Sequence, residues 1–276
     1  MSTLQNKLDK GPLVMGILNV TPDSFSDGGK FMDVDNAVDR ALQMVEEGAD
    51  IIDIGGESTG PGSSDVDVKE ELERVIPVFE KLRHKTDVLL SVDTYKHQVA
   101  LHALTVGADM VNDVTALRGD DEMAKSLAGH KCPVVLMYAK DETPRTTNED
   151  VQYDDVVDSV KRLLKERIAV AEKAGIKRDR LIVDPGMGAF VSSEPFYSLQ
   201  LLKRLKELES LDCPILVGAS RKSFIGKTLD VPLHERLEGG LAAAAIAVWN
   251  GAAIIRAHDV KETRRVVDMV HAIQST

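Results

Sequence analysis

Charged and amide side chains follow several apolar segments of this chain, at the point where each segment ends. The apolar run 214–218 leads directly into the polar stretch 220–223 (SRKS). The same position is taken elsewhere by Asn19, Asp53, Glu57, Asp93, Asn112, Tyr138, Asp184, Arg256 and His258. Carboxylates and amides accept N–H donors, whereas lysine and arginine suit a carbonyl oxygen or a leaving anion. Brought together, these residue types would hold a flat ligand with an amidine-like N–H edge.

Each of these residues also has an ordinary structural explanation. Asp93 and Asn112 could cap the helix that follows them. We interpret Asp53, which lies within its apolar segment, as structural, and His258 by itself would be a packed histidine. The whole set is harder to explain in this way, because every buried charge needs a partner. We therefore interpret the set as a ligand site.

Strand and helix patterns alternate along the chain and would bring these residues to one place. The predicted strands are 13–20, 51–54, 88–92, 109–111, 133–137, 181–183, 214–218 and 252–255. The predicted helices are 35–47, 68–83, 97–106, 121–128, 154–174, 196–208, 236–249 and 261–273. Eight such units predict a single-domain α/β fold, a (β/α)8 TIM barrel over residues 13–276, after a polar N-terminal lead-in at residues 1–12. An open doubly wound sheet is the alternative, but no G-x-G-x-x-G follows the first strand.

Composition excludes several function classes. The net charge of −11 argues against nucleic acid or acidic lipid as a partner. No apolar run approaches a membrane span, and the lead-in lacks the apolar core of a signal peptide, so we expect a cytoplasmic protein. Cys132 and Cys213 each precede a proline at the start of a strand pattern, and we expect buried free thiols.

The strand-end motifs resemble those of the dihydropteroate synthase family. Residues 16–29 (GILNVTPDSFSDGG) resemble its first signature, and residues 53–59 (DIGGEST) with Pro61 and Gly62 resemble its second. The remaining matches are 91–94 (SVDT), 112–114 (NDV), 184–186 (DPG), 220–223 (SRKS) and 256–260 (RAHDV). The motifs run in order from residue 13 to about residue 260, which is essentially the whole chain.

The resemblance implies a reaction in folate biosynthesis. The family condenses 6-hydroxymethyl-7,8-dihydropterin pyrophosphate with para-aminobenzoate and releases pyrophosphate and 7,8-dihydropteroate. The resemblance implies that pyrophosphate leaves first and that the aniline nitrogen then attacks. It also implies Mg²⁺ as cofactor and a homodimer, for which the alanine-rich last helices could provide the interface.

Site residues are implied by the same motif match. The pterin-binding residues would be Asp93, Asn112, Asp184, Lys222 and Arg256. The para-aminobenzoate contacts would be Thr59, Pro61, Phe190 and Ser220. The pyrophosphate contacts would be Asn19, Arg256 and His258, with Asn19 as the magnesium ligand. Lys222, Arg256 and His258 would be the catalytic residues.

The chain departs from the family pattern at two places. Gly60 stands where the family has an arginine that assists pyrophosphate, and Arg118, Lys140 or Arg145 could substitute for it. Residues 184–191 (DPGMGAFV) shift the aromatic that flanks para-aminobenzoate to Phe190 and lack the family's lysine. A divergent branch that includes sulfonamide-insensitive enzymes has a similar Asp-Pro-Gly-Met-Gly pattern, so we expect an altered response to sulfonamides.

Two rival functions remain open from the sequence. A methyltransferase domain that binds methyltetrahydrofolate would share the barrel and the pterin-holding acids. The SRKS motif and the long first loop argue against it. A pterin-binding protein without catalysis is supported only by Gly60 and the altered sixth loop. Pyrophosphate release would separate these alternatives from a synthase.

Overall fold

The structure is a computed structural model that describes residues 3–21 and 30–276. Eight parallel strands close into one barrel in sequence order, with β1 pairing to β8. They are β1 (Leu13–Asn19), β2 (Ile51–Gly55), β3 (Leu89–Asp93), β4 (Met110–Asp113), β5 (Val134–Met137), β6 (Leu181–Asp184), β7 (Ile215–Val217) and β8 (Ala252–Ala257). The predicted (β/α)8 barrel is confirmed. Residues 22–29 of the first motif lie outside the described part.

Helices follow the strands and surround the barrel, except for α1, which precedes β1. They are α1 (Thr3–Leu8), α2 (Lys30–Glu46), α3 (Val68–Arg83), α4 (His97–Thr105), α5 (Met123–Ala128), α6 (Val156–Ala174), α7 (Pro195–Lys203), α8 (Ser223–Leu229), α9 (Leu237–Trp249) and α10 (Val260–Gln274). The short helix α8 was not predicted, because seven residues carry too little periodicity to be recognised. The predicted helix 196–208 is instead α7 followed by a 3₁₀ segment, Leu205–Leu211, which buries every third residue as that helix requires.

The barrel interior has an apolar layer and a polar layer, and strand alternation separates them. Ile51, Met110 and Ile254 are fully or almost fully buried in the interior apolar cluster. Successive side chains alternate between the two faces of a strand, so the next inward position lies two residues further along. Those positions are Asp53, Asn112 and Arg256. The polar layer therefore begins one inward step beyond the core, toward the C-terminal ends of the strands.

The N-terminal helix lies at the opposite end of the barrel. Leu4 of α1 is buried in the interior apolar cluster. Lys7 and Arg264 both pair with Asp50, at 3.4 and 3.0 Å, and tie α1 and α10 to the start of β2. The expected division between a lead-in at residues 1–12 and the barrel stays a prediction.

Two smaller expectations can be compared with the structure. Cys132 and Cys213 are both buried and free, as predicted. In the described ranges, no helix combines the length and the apolar character needed to cross a membrane.

Candidate active site

The polar layer opens at the C-terminal ends of the strands as a cavity of about 360 Å³. Its lining residues are Ile17, Gly218, Ser220, Arg221, Lys222, Leu233, Arg256 and His258. Asp53, Asn112 and Asp184 are buried in the same layer, each no more than 4% exposed. Two strand-end residues do not join them. Tyr138 packs in the outer core, and Glu57 pairs with Lys96.

Arg256 connects three strands of the barrel through ion pairs. Its Nε donates to Asp53 Oδ2 and its Nη2 donates to Asp93 Oδ2, both at 2.6 Å. Burial opposes the guanidinium charge, but the two carboxylates raise the pKa of Arg256 above its usual value. Burial also raises the pKa of Asp93, and Arg256 offsets only part of that shift. The arginine and both carboxylates thus form one coupled unit.

Asn112 and Asp184 add acceptors to the polar layer beneath the cavity. Asn112 Nδ2 donates to Asp53 Oδ2 at 2.9 Å, and this bond orients the amide so that its oxygen can accept from a ligand. Asp184 Oδ1 accepts from Gly186 N at 2.8 Å. Gly186 has a φ of +66°, and a Cβ there would lie 2.4 Å from Tyr138 O, so the turn requires glycine. Together with Asp93, these groups form an acceptor edge.

Lys222 and Phe190 come together from separate motifs. Lys222 immediately precedes α8, and its Nζ lies 5.1 Å from the centroid of the Phe190 ring, within cation–π range. Burial lowers the pKa of Lys222 to about 8, with Asp184 opposing this shift and Arg256 adding to it. The ammonium therefore stands between the acceptor edge and an aromatic wall.

His258 and Ser220 form a pair at the ends of β8 and β7. The His258 backbone N–H donates to Ser220 Oγ at 3.2 Å, and Ser220 Oγ lies 3.1 Å from His258 Nδ1. Burial and then Arg256 lower the pKa of His258 to about 4, so the ring is neutral at pH 7. The Ser220 hydroxyl then donates its proton to Nδ1, so the ring proton lies on Nε2, and Nε2–H is a neutral donor. Ser220 then has no proton left for a carboxylate, and its predicted contact with para-aminobenzoate stays a prediction.

The remaining predicted residues lie at the rim of the mouth. Asn19 is exposed at the end of β1, Thr59 is half-buried and Pro61 is exposed. The Thr59 carbonyl oxygen accepts from Thr146 N at 3.1 Å. These positions are compatible with contacts to substrates that enter from the open side.

Each cation considered as a replacement at Gly60 already has protein partners. Arg118 donates to the Thr115 and Ala139 carbonyl oxygens, both at 2.9 Å. Lys140 Nζ bonds Asp141 at 2.6 Å and Thr147 at 2.7 Å. Arg145 pairs with Asp65 and Glu57. The proposed compensation for Gly60 therefore finds no support in these contacts.

Two residues of the site are not among the contacts implied by the sequence motifs. Asp53, interpreted from the sequence as structural, is fully buried and binds both Arg256 and Asn112, so it supports two of the predicted pterin contacts. The available signal was its place two residues after the inward Ile51. Leu233, 57% exposed, lines the cavity from the connection between α8 and α9. No motif marks it.

Comparisons with known proteins identify the family of this chain. The family model described as "Pterin binding enzyme" matches residues 15–258. A dihydropteroate synthase of Escherichia coli strain K12 is 47% identical over 96% of this chain and 92% of its own length. The structure of a dihydropteroate synthase from Xanthomonas albilineans with 4-aminobenzoic acid has a TM-score of 0.90 at 46% identity, covering 98% of this chain and 95% of that chain. Another, from the same species in complex with 7,8-dihydropteroate, has a TM-score of 0.87 at 44% identity and the same coverage. This chain belongs to the dihydropteroate synthases, a family of pterin-binding enzymes.

Proposed function

We propose that this chain condenses 6-hydroxymethyl-7,8-dihydropterin pyrophosphate with para-aminobenzoate to form 7,8-dihydropteroate and pyrophosphate, a step of folate biosynthesis. The observation that carries the proposal is the acceptor edge of Asp93, Asn112 and Asp184 beside the two cations: Arg256 binds Asp93 directly, and the charge of Asp184 acts on Lys222. A cytoplasmic location stays a prediction.

Pterin recognition follows from the donors and acceptors of the two sides. The amino-pyrimidinone ring of a pterin carries several N–H groups on one edge and a carbonyl oxygen beside them. The carboxylates and the amide oxygen accept those N–H groups, and a carboxylate can accept two in parallel. Lys222 suits the carbonyl oxygen, and the planar guanidinium of Arg256 suits the face of the ring.

The reaction needs positioning and charge stabilisation more than a protein nucleophile. The CH₂–O bond of the pterin substrate breaks, and its electron pair leaves with pyrophosphate. The ring nitrogens delocalise the positive charge left on carbon. The aniline nitrogen of para-aminobenzoate then forms the new C–N bond and loses a proton to water. Holding both substrates in line supplies much of the rate enhancement.

His258 and Arg256 are the proposed pyrophosphate contacts. The neutral His258 ring offers Nε2–H because Ser220 serves Nδ1. Arg256 contributes a charge that stays fixed across the physiological range. A neutral donor and a fixed cation together stabilise the developing charge on the leaving oxygen.

We propose Mg²⁺ as the metal, with Asn19 as its protein ligand. Asn19 offers an exposed amide oxygen at the mouth, and the described residues include no cluster of three or more His, Cys, Asp or Glu that could hold a metal ion. Mg²⁺ prefers oxygen ligands and usually takes one or two from protein, with waters and substrate phosphates completing its shell. Asn19 would hold it, and when bound the ion would neutralise charge on the pyrophosphate.

Para-aminobenzoate is proposed to lie between loops at the rim. Phe190 would cover one face of its ring, and Thr59 and Pro61 would form the opposite wall. Ser220 would contact the substrate by packing alone, because its hydroxyl proton is donated to His258 Nδ1. Lys222, beside Phe190, would stand between the two substrates.

Pyrophosphate release tests the proposed function. We expect release that requires both substrates and Mg²⁺, and we expect Lys222→Ala to lower it by about a hundredfold or more, since a positioned charge is lost. Lys165→Ala, an exposed lysine of α6, is the matched control and should behave as wild type. Pterin binding without release by the wild-type protein would instead identify a non-catalytic pterin-binding protein.

Asp53→Asn tests the ion-pair network beneath the site. Removing this charge loosens Arg256 and lets the Asn112 amide turn. We expect pterin affinity, measured by calorimetry, to fall about 10- to 100-fold, the effect of one lost charge-assisted hydrogen bond. Asp50→Asn makes the same change at the other end of the barrel and should leave pterin affinity unchanged. An unchanged affinity in Asp53→Asn would contradict the proposed role.

The pH dependence of kcat/KM for dihydropterin pyrophosphate tests Lys222. Its lowered pKa of about 8 means that the cation is present below pH 8 and is lost as the pH rises through that value. We therefore expect kcat/KM to fall above pH 8. Asp184→Asn removes the carboxylate that supports the charge and should move this limb to lower pH. The exposed Asp121→Asn serves as control, and an unmoved limb in Asp184→Asn would argue against the coupling.

We also propose that the chain forms a homodimer through neighbouring outer helices. Helices α7 and α10 both pack against α9. Large apolar side chains stand exposed along these three helices: Phe196, Leu199, Ile246, Trp249, Met269 and Ile273. Extended apolar patches on a surface mark protein interfaces, and the small alanines of α9 allow close approach. A second copy of the chain would cover this face.

Light scattering tests the dimer. We expect twice the monomer mass for the wild type and the monomer mass for the double variant Ile246→Glu with Trp249→Glu, because each buried, unpaired carboxylate opposes association. Gln98→Glu adds a negative charge on exposed α4 and should stay dimeric. A monomeric wild type, or a double variant that stays dimeric, would refute this interface.

A further inference from the structure

The connection between β5 and α6 runs between the two proposed walls of the para-aminobenzoate site. We call its residues 140–147 the strap. Thr146 N donates to the Thr59 carbonyl oxygen at 3.1 Å, on the loop after β2. On the other side, Lys140 N donates to the Phe190 carbonyl oxygen at 2.8 Å, on the loop after β6. The strap therefore contacts both walls through their backbones.

Thr146 joins the two sides within a single residue. Its Oγ1 lies 2.9 Å from the Ala189 carbonyl oxygen and 2.8 Å from Asp141 Oδ2, so its one proton is shared between two acceptors. The residue is only 3% exposed. Its backbone N–H reaches the Thr59 wall while its hydroxyl reaches the Phe190 wall. A buried residue with both contacts sets the separation of the walls.

Asp141 holds the strap in this shape. Its Oδ2 accepts from Lys140 Nζ at 2.6 Å and from Thr147 N at 3.0 Å, and its Oδ1 accepts from Thr147 Oγ1 at 3.1 Å. These contacts join the two ends of the strap to one carboxylate. The turn is therefore closed on itself, and Thr146 is presented from a fixed backbone.

A second tie fastens the strap to the loop after β2. Arg145 pairs with the Asp65 carboxylate, donates to the Ser64 carbonyl oxygen at 2.9 Å and contacts Glu57. Glu57 is in turn paired with Lys96, which also binds Glu71 of α3 at 2.5 Å. The chain of ion pairs runs from the strap to the outer helices, so the strap is anchored to the body of the barrel.

We propose that the strap is a positioning element for para-aminobenzoate, with Thr146 as the residue that holds the two walls together. This rests on the proposed function, in which Thr59 and Phe190 flank that substrate. The proposed pterin contacts sit mostly on strands, which the barrel itself holds in place. The para-aminobenzoate walls sit on loops, which need support from outside to keep a productive geometry. Thr146 acts through Thr59 and Phe190 without touching the substrate.

Thr146→Val removes the hydroxyl while keeping the shape of the side chain. With saturating dihydropterin pyrophosphate, we expect the KM for para-aminobenzoate to rise about fivefold, the effect of one lost hydrogen bond. The kcat and the dissociation constant for the pterin substrate should stay within about twofold of wild type, since their contacts lie elsewhere. Thr146→Ser restores the hydroxyl and should restore the KM. Thermal unfolding of every variant verifies that the fold is kept.

Two further variants separate the possible outcomes. Thr105→Val, in an exposed threonine at the end of α4, makes the same chemical change at a distance and should match wild type. Phe190→Ala should raise the KM for para-aminobenzoate if the wall itself is assigned correctly. A raised KM in Phe190→Ala with an unchanged KM in Thr146→Val overturns the role of the strap alone. No change in either variant overturns the wall assignment, and the strap proposal with it. An equal loss of pterin affinity in Thr146→Val, or no rescue by Thr146→Ser, also overturns the role of Thr146.

Discussion

The guanidinium of Arg256 between the carboxylates of Asp53 and Asp93 is the interaction on which the mouth of the barrel depends. Three charges are largely removed from water there, and the arginine compensates each carboxylate through a hydrogen bond of 2.6 Å. Asp53 also fixes the orientation of the Asn112 amide. The contacts that compensate the buried charges therefore also orient part of the acceptor edge that is offered to a ligand.

Much of this arrangement can be predicted from the sequence, because the barrel topology brings the ends of all strands together. Strictly alternating elements send every strand end to one mouth, and Asn112, Asp184 and Arg256 stand at those ends. The same rule identifies Asp53, once the inward alternation from Ile51 is followed. Helix α8 and the 3₁₀ segment after α7 could not be predicted from local sequence patterns, since short segments carry little periodicity. The contacts of Thr146 join three loops far apart in sequence, and no motif near residue 146 indicates them.

The site therefore has two kinds of support. The proposed pterin contacts stand mostly on strands and inherit the rigidity of a closed sheet. The proposed para-aminobenzoate contacts stand mostly on loops and depend on the strap, on Arg145 and on the ion pairs of Glu57 with Lys96. A change in loop sequence can therefore alter the second substrate's site while leaving the first intact. The departures at Gly60 and Phe190 both fall in this loop-borne half.

The charge content of the mouth also bears on what happens after the CH₂–O bond breaks. Asp53, Asp93 and Asp184 face Lys222 and Arg256 in the described part of the site, and His258 is neutral at pH 7. Acidic side chains therefore surround the place where a positively charged ring would form, and they favour its retention. Of the two cations there, Arg256 is already paired with two carboxylates. Such a mouth would hold the reactive cation in place while the aniline nitrogen approaches.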